Sequence, residues 1–167
     1  NVIPIHIGRQ LFIDDFLIEE TTLKRVLHKP DKYAGNPIVG PETDFEHSSV
    51  YFVGEPVLWD SEDQRFKMWY SPGHWIAPRA LLISKDGLHW ERPNLNVVPS
   101  TNIVMPKHSG FAICSIFRDF EEQDSQRAYK AHGWDEMYRA SVFLSSPDGI
   151  HWREEARWKN GYQDTTN

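Results

Sequence analysis

The sequence is poor in the features that would define several protein classes. Among 167 residues there is one cysteine, Cys114, so no internal disulfide can form and a disulfide-stapled scaffold is excluded. No apolar run approaches the roughly 20 residues that span a bilayer as a helix, so no membrane partner is expected. No basic stretch followed by an apolar stretch precedes Asn1, which reads as a secretory leader absent or already removed. Lys and Arg number 18 against 24 Asp and Glu, without a basic cluster, so no nucleic-acid partner is expected. No histidine pair has helical ligand spacing such as His-x-x-x-His, and no Gly-rich phosphate loop or nucleophile elbow is present. Neither a metal nor another cofactor is therefore expected. The compartment stays open, a periplasmic or secreted one being slightly favoured.

Helical patterning is equally scarce. Ten glycines and eleven prolines interrupt nearly every window of helical length. What is present instead is 40% hydrophobic residues, 13% of all residues being aromatic, grouped in short runs between turn residues. That composition builds a core, and the runs read as strands. Ten strands are expected: Gln10–Leu17, Lys24–His28, Val53–Trp59, Arg65–Ser71, Arg79–Ser84, His89–Arg92, Phe111–Phe117, Ala128–Trp134, Arg139–Ser145 and His151–Arg157. Phe66, Met68 and Tyr70 alternate with Lys67, Trp69 and Ser71, the pattern of a half-buried strand. Asp119–Gln126 predicts a turn or a single helical turn.

An internal repeat organises these strands. Ser84-Lys85-Asp86-Gly87-Leu88-His89-Trp90 recurs 62 residues later as Ser146-Pro147-Asp148-Gly149-Ile150-His151-Trp152. The same offset sets Ala80-Leu81-Leu82 on Val142-Phe143-Leu144, and Gln64-Arg65 on Gln126-Arg127. Asn36-Pro37-Ile38-Val39 before the first unit is echoed by Asn102-Ile103-Val104 before the second. Two copies of a four-strand unit, A to D, are the signature of propeller blades. The expected fold is all-β, a β-propeller of which about two four-stranded blades are present. Residues 1–52 read as N-terminal strands and linker, part of a closing blade. Residues 53–106 are blade 1 with its linker, 107–160 blade 2, and 161–167 the start of blade 3. Asp-Gly suits the tight C–D hairpin, whose turn requires positive φ. Trp90, Trp152, Met68 and Phe66 are expected as core between blades. Two blades would leave apolar faces exposed, so the expected partners include the remaining blades, from the same protein or another chain.

Several motifs together carry a resemblance. They are Leu11-Phe12-Ile13-Asp14-Asp15-Phe16-Leu17-Ile18, Leu23-Lys24-Arg25-Val26-Leu27-His28-Lys29-Pro30, Asn36-Pro37-Ile38-Val39, Phe66-Lys67-Met68-Trp69-Tyr70 and the two Ser-x-Asp-Gly-x-His-Trp hairpins. Across nearly its whole length the chain resembles the N-terminal part of bacterial proteins similar to glycoside hydrolase families 32 and 43. The resemblance implies a five-bladed propeller with an oligo- or polysaccharide substrate, cleaved by carboxylic side chains in a central pocket. It places the base or nucleophile at the start of blade 1's innermost strand, often as Asp-Pro. Gly54-Glu55-Pro56 offers Glu55 there, one methylene longer, either for that role or as a hydrogen-bonding group. The general acid would come from Asp164 or from outside this sequence. Arg118-Asp119 is like a second family motif, but the repeat sets Asp119 beside Asp60 in an A–B turn, on the face away from the pocket.

Propeller geometry puts D–A and B–C loops on that pocket face. The D–A loops would contribute His47, Lys107, His108 and Asp164. The B–C loops would contribute His74, Trp75, Arg79, His132, Trp134, Asp135 and Tyr138. These residues are the candidate substrate contacts, aromatic and polar groups around one mouth being suited to sugars. Three functions remain open: a glycosidase, a non-catalytic glycan binder, or a structural propeller.

Overall fold

The computed structural model describes residues 4–6, 8, 10, 11, 13–52, 56–74, 78–105 and 111–159. The chain divides into two compact units, Asn1–Ala34 and Gly35–Asn167. In the first, the described residues form turns and no strands. The strands expected at Gln10–Leu17 and Lys24–His28 are therefore corrected. Asp14 Oδ1 accepts from Phe16 N at 3.0 Å, and Asp15 O accepts from Ile18 N at 2.9 Å, which curls the run instead of extending it. Without a neighbouring strand the apolar alternation has nothing to bury against: Ile13 is 80% exposed and Leu27 91%.

The second unit is all-β, with two antiparallel sheets and two short 3-10 turns at Asp44–Glu46 and Ser125–Arg127. The strands of the first sheet are β1 (Val50–Tyr51), β2 (Val57–Asp60), β3 (Arg65–Pro72), β4 (Arg79–Ser84), β5 (Trp90–Glu91) and β6 (Ile103–Met105). β1 and β2 both pair with β3, while β5 and β6 both pair with β4, so six strands fill four columns. The second sheet runs β7 (Phe111–Arg118), β8 (Tyr129–Asp135), β9 (Ala140–Ser146), β10 (Arg153–Lys159) as a plain meander.

Registers fix which positions correspond. Lys67 faces Ile83 in the first sheet and Lys130 faces Ser145 in the second; Met68 faces Leu82 as Ala131 faces Leu144. Strand C thus keeps the offset of 62 while strand B shifts to 63, and the Gln64-Arg65 echo at Gln126-Arg127 is not a structural equivalence.

The repeated hairpin is built identically in both copies. Ser84 Oγ accepts from Gly87 N at 2.9 Å, as Ser146 Oγ does from Gly149 N at 2.9 Å. Asp86 Oδ1 accepts from Leu88 N and His89 N, both at 2.8 Å; Asp148 Oδ1 does the same for Ile150 N and His151 N at 2.8 Å. Trp90 Nε1 donates to Gly87 O, and Trp152 Nε1 to Gly149 O. These bonds satisfy a turn that lacks ladder partners, which is why the motif needs Ser, Asp, Gly and Trp together.

The second copy of this turn docks on the first sheet. Trp69 Nε1 donates to Gly149 O at 2.9 Å, and Lys67 Nζ to Asp148 O at 3.3 Å. Around this contact Trp69, Leu81, Val104, Ile113, Ile116, Tyr129, Val142 and Leu144 form one buried cluster drawn from both sheets. The opposite face of the first sheet carries a second cluster, with Met68, Tyr70, Ala80 and Leu82 packed by Val39, Phe45 and Val98. β3 is therefore buried on both faces and not half-buried as its alternation suggested. Met68 and Trp90, expected between blades, lie in that second cluster; Trp152 packs on the inter-sheet cluster as expected.

Both turn glycines have positive φ, 75° at Gly87 and 77° at Gly149. Only Gly149 is also crowded: a Cβ there would lie 2.6 Å from the Trp69 ring, against 3.7 Å from Phe66 at Gly87. Gly87→Ala is expected to cost about 1 kcal/mol through backbone strain alone. Gly149→Ala should cost at least about 3 kcal/mol in urea unfolding, because Trp69 must shift as well. Equal losses would show that the turn does not dock as described.

Candidate functional site

The two sheets are aligned end to end. At one end lie Val50, Pro72, Arg79 and Met105 of the first sheet and Phe111, Asp135 and Ala140 of the second. Arg79, 1% exposed, ties these ends together by donating to Ile113 O at 3.1 Å. At the other end lie Asp60 and Ser84 with Arg118, Tyr129 and Ser146.

That other end is occupied by structural charge. Lys67 pairs with Asp60 at 2.8 Å and Asp63 at 2.6 Å. Arg118 crosses from the second sheet to Asp60 at 2.9 Å and Glu62 at 2.6 Å, and Tyr129 OH donates to Asp60. Burial alone would raise the Asp60 pKa, but the bonds from Lys67, Tyr129 and Asp63 N outweigh it and hold the carboxyl well below its usual range. Burial, then the bond to Asp60, pushes Tyr129 up to about 12, so it stays a donor. Lys130 repeats the Lys67 arrangement with Asp119 at 2.5 Å and Glu122 at 2.9 Å. Asp60, Asp86, Asp119 and Asp148 all belong to this end, and their partners account for them as hairpin and sheet-joining groups.

The first end carries the candidate site. There the pairing along β3 passes from β1 to β2 in the first sheet, and the β7–β8 pairing shifts register in the second. Along β3, Tyr51 faces Ser71 and Val57 faces Met68. In β7, Ile113 faces Gly133 and Ser115 faces His132, which leaves Cys114 as a bulge. Bulges re-aim the chain and are over-represented beside functional sites.

Glu55, Trp75, Lys107, His108 and Asp164 lie outside the described residues. His47 and His74 are both exposed and come to one loop cluster: Gly73 N donates to Ser49 O at 2.9 Å, and an added Cβ on Gly73 would lie 2.9 Å from the His47 ring. Tyr138, 56% exposed, lies in the β8–β9 loop under the Arg157 guanidinium, 5.2 Å from its ring centre.

Four of the candidate contacts lie within the sheets or at their ends. Arg79 is a buried tie within β4. Asp135 is fully buried; it pairs with Arg157 and accepts from Met137 N and Tyr138 N, which shapes the loop. His132 lies within β8 and Trp134 near its end, as the expected strand Ala128–Trp134 has them and not as loop residues; β8 ends at Asp135. His132 packs 4.9 Å from the Phe143 ring, which stacks on Trp158 at 4.7 Å, and burial lowers its pKa.

Glu46 was not expected. It is fully buried and accepts from Glu42 N at 2.6 Å, Thr43 N at 3.0 Å, Tyr70 OH at 2.5 Å and Arg92 Nε at 2.8 Å. Burial would raise its pKa; the bonds from Arg92, Glu42 N, Tyr70 and Thr43 N prevail and lower it to about 2. This knot fixes the loop that carries His47. Its signal in the sequence is Thr43-x-x-Glu46, the spacing by which a glutamate reaches back over the start of a helical turn.

Among the described residues no group of three His, Cys, Asp or Glu is arranged to hold a metal ion. No family model, curated protein or solved structure matches the chain.

Because Glu46 has a folded pKa of about 2 against 4.5 unperturbed, the unfolded state binds more protons between these values. Its stabilisation is complete above pH 4.5 and is lost as pH falls towards 2. Acid titration of the unfolding free energy should show this fall. Glu46→Gln should flatten it and cost about 3 kcal/mol at pH 7, since Arg92 and the two main-chain donors lose their anion. An unchanged slope would remove Glu46 from this role.

Proposed function

We propose that this chain forms two blades of a five-bladed, glycan-handling propeller. Its pocket lies at the end carrying His47, His74 and Tyr138, and Glu55 acts there as base or nucleophile in glycosidic cleavage. The observation that carries this reading is the Cys114 bulge of β7 at that end, beside the buried Arg79 tie to the Ile113 carbonyl. A bulge of this kind is a local means of re-aiming side chains towards a ligand. The resemblance to glycoside hydrolase families 32 and 43 supplies the substrate class and the chemistry.

The residues divide by task under this reading. His47, His74, Trp75, His108 and Tyr138 contact the sugar through rings and ring nitrogens. Arg79 and Asp135 hold the loops. Asp164, or a carboxyl from another blade, protonates the leaving oxygen. A non-catalytic glycan binder is the second reading. It is favoured by the fully buried carboxylates described at this end, Glu46 and Asp135, both ion-paired and so unsuited to acid catalysis.

The test is hydrolysis of a panel of oligosaccharides by the full polypeptide and by its Glu55→Gln variant, with circular dichroism to establish folding. Cleavage reduced by about 10³-fold in a folded variant is expected for loss of the base or nucleophile. Near-normal turnover would take Glu55 out of the chemistry. Binding without turnover in the parent protein would select the second reading.

A further inference from the structure

The face of the second sheet turned away from the first corresponds, position by position, to the face of the first sheet that receives the Asp148-Gly149 turn. Lys130 stands where Lys67 stands, His132 where Trp69 does, and Phe143 where Leu81 does. The two faces differ in cover. Leu81 is 1% exposed and Phe143 39%; the Lys67 side chain is 6% exposed and that of Lys130 25%. Lys67 holds two acids of its own hairpin and also the Asp148 carbonyl. Lys130 holds the matching two acids, Asp119 and Glu122, and no incoming carbonyl is recorded for it among the described residues. Trp158, 43% exposed, extends the apolar surface beside Phe143.

We propose that this face seats a third sheet of the same repeat on the same polypeptide, with that sheet's Asp-Gly turn delivering a main-chain carbonyl to Lys130. The choice of occupant follows from the first interface, in which a surface of this pattern receives the next copy of the turn. A second molecule of this chain fits less well, because the matching faces of both its sheets are already covered. Val39, Phe45 and Val98 cover the first, and the first sheet covers the second. The inference rests on the propeller reading of the fold, not on the chemistry proposed for the pocket.

Thiol labelling of the full polypeptide, with Cys114 replaced by alanine, tests it. Phe143→Cys reports on the face, and Phe120→Cys, at a 76% exposed position, serves as the reference. A maleimide should modify Phe143→Cys about 100-fold more slowly than Phe120→Cys, since access then requires the sheets to separate. Comparable rates in the two variants would overturn the proposal, and so would protection that disappears on dilution, which would identify a second molecule. If Phe143→Cys fails to fold, Trp158→Cys gives the same reading. Protection without glycan binding would keep this inference and remove the proposed function; glycan cleavage with an unprotected thiol would do the reverse.

Discussion

One hairpin turn, Asp148-Gly149, seated on Trp69 and Lys67, sets the relation of the two sheets on which the candidate site depends. The turn brings two main-chain carbonyls to a buried indole and a buried ammonium, and each donor takes one. Neither donor could be buried at tolerable cost without an acceptor. The ammonium is also neutralised by Asp60 and Asp63, and Asp60 in turn receives Arg118 and Tyr129 from the other sheet. A buried charge cluster of this kind contributes little beyond what an apolar core would, but it is strict about geometry. It fixes the alignment of the sheets, and the apolar cluster around Trp69 supplies the bulk of the cohesion.

Alignment at the charged end determines what meets at the far end. Arg79 reaches the Ile113 carbonyl beside the Cys114 bulge, so the start of β4 lies against the irregular part of β7. The Glu46 knot then fixes the 40–47 segment against the first sheet. Arg92 links Glu46 to Glu42 and to the Gly40 carbonyl, and Tyr70 joins Glu46 to Asn102. His47 follows directly, which is how a loop histidine comes to a defined place beside Gly73 and His74. Structural carboxylates are thus spent on scaffolding at both ends, and chemistry would fall to the remaining acids.

Much of the fold was legible because its main device is local. Ser, Asp, Gly and Trp at fixed spacing satisfy one turn through bonds spanning two or three residues, so the motif survives as text and recurs as text. The strands beside it followed from apolar runs. Burial of both faces of β3 was not legible, since the alternation around Lys67 looks polar until Asp60, Asp63 and Asp148 are seen to surround that ammonium. The strands expected in residues 10–28 failed for the converse reason: apolar composition suggests a strand, but only a pairing partner makes one. The strand expected to end at Trp134 stops one residue short of the end of β8, so His132 and Trp134 lie in the ladder and the loop begins only after Asp135. Glu46 escaped notice because its partners Tyr70 and Arg92 are remote in sequence.

The account stands on the coupling between the sheets, and a double-mutant cycle on Asp60→Asn and Arg118→Met measures it most directly by urea unfolding at low salt. The charges meet within a buried, hydrogen-bonded cluster, so the paired substitutions should depart from additivity by about 1 kcal/mol or more. Additivity within about 0.3 kcal/mol would mean that Asp60 and Arg118 do not meet, and the sheets would not be packed as described.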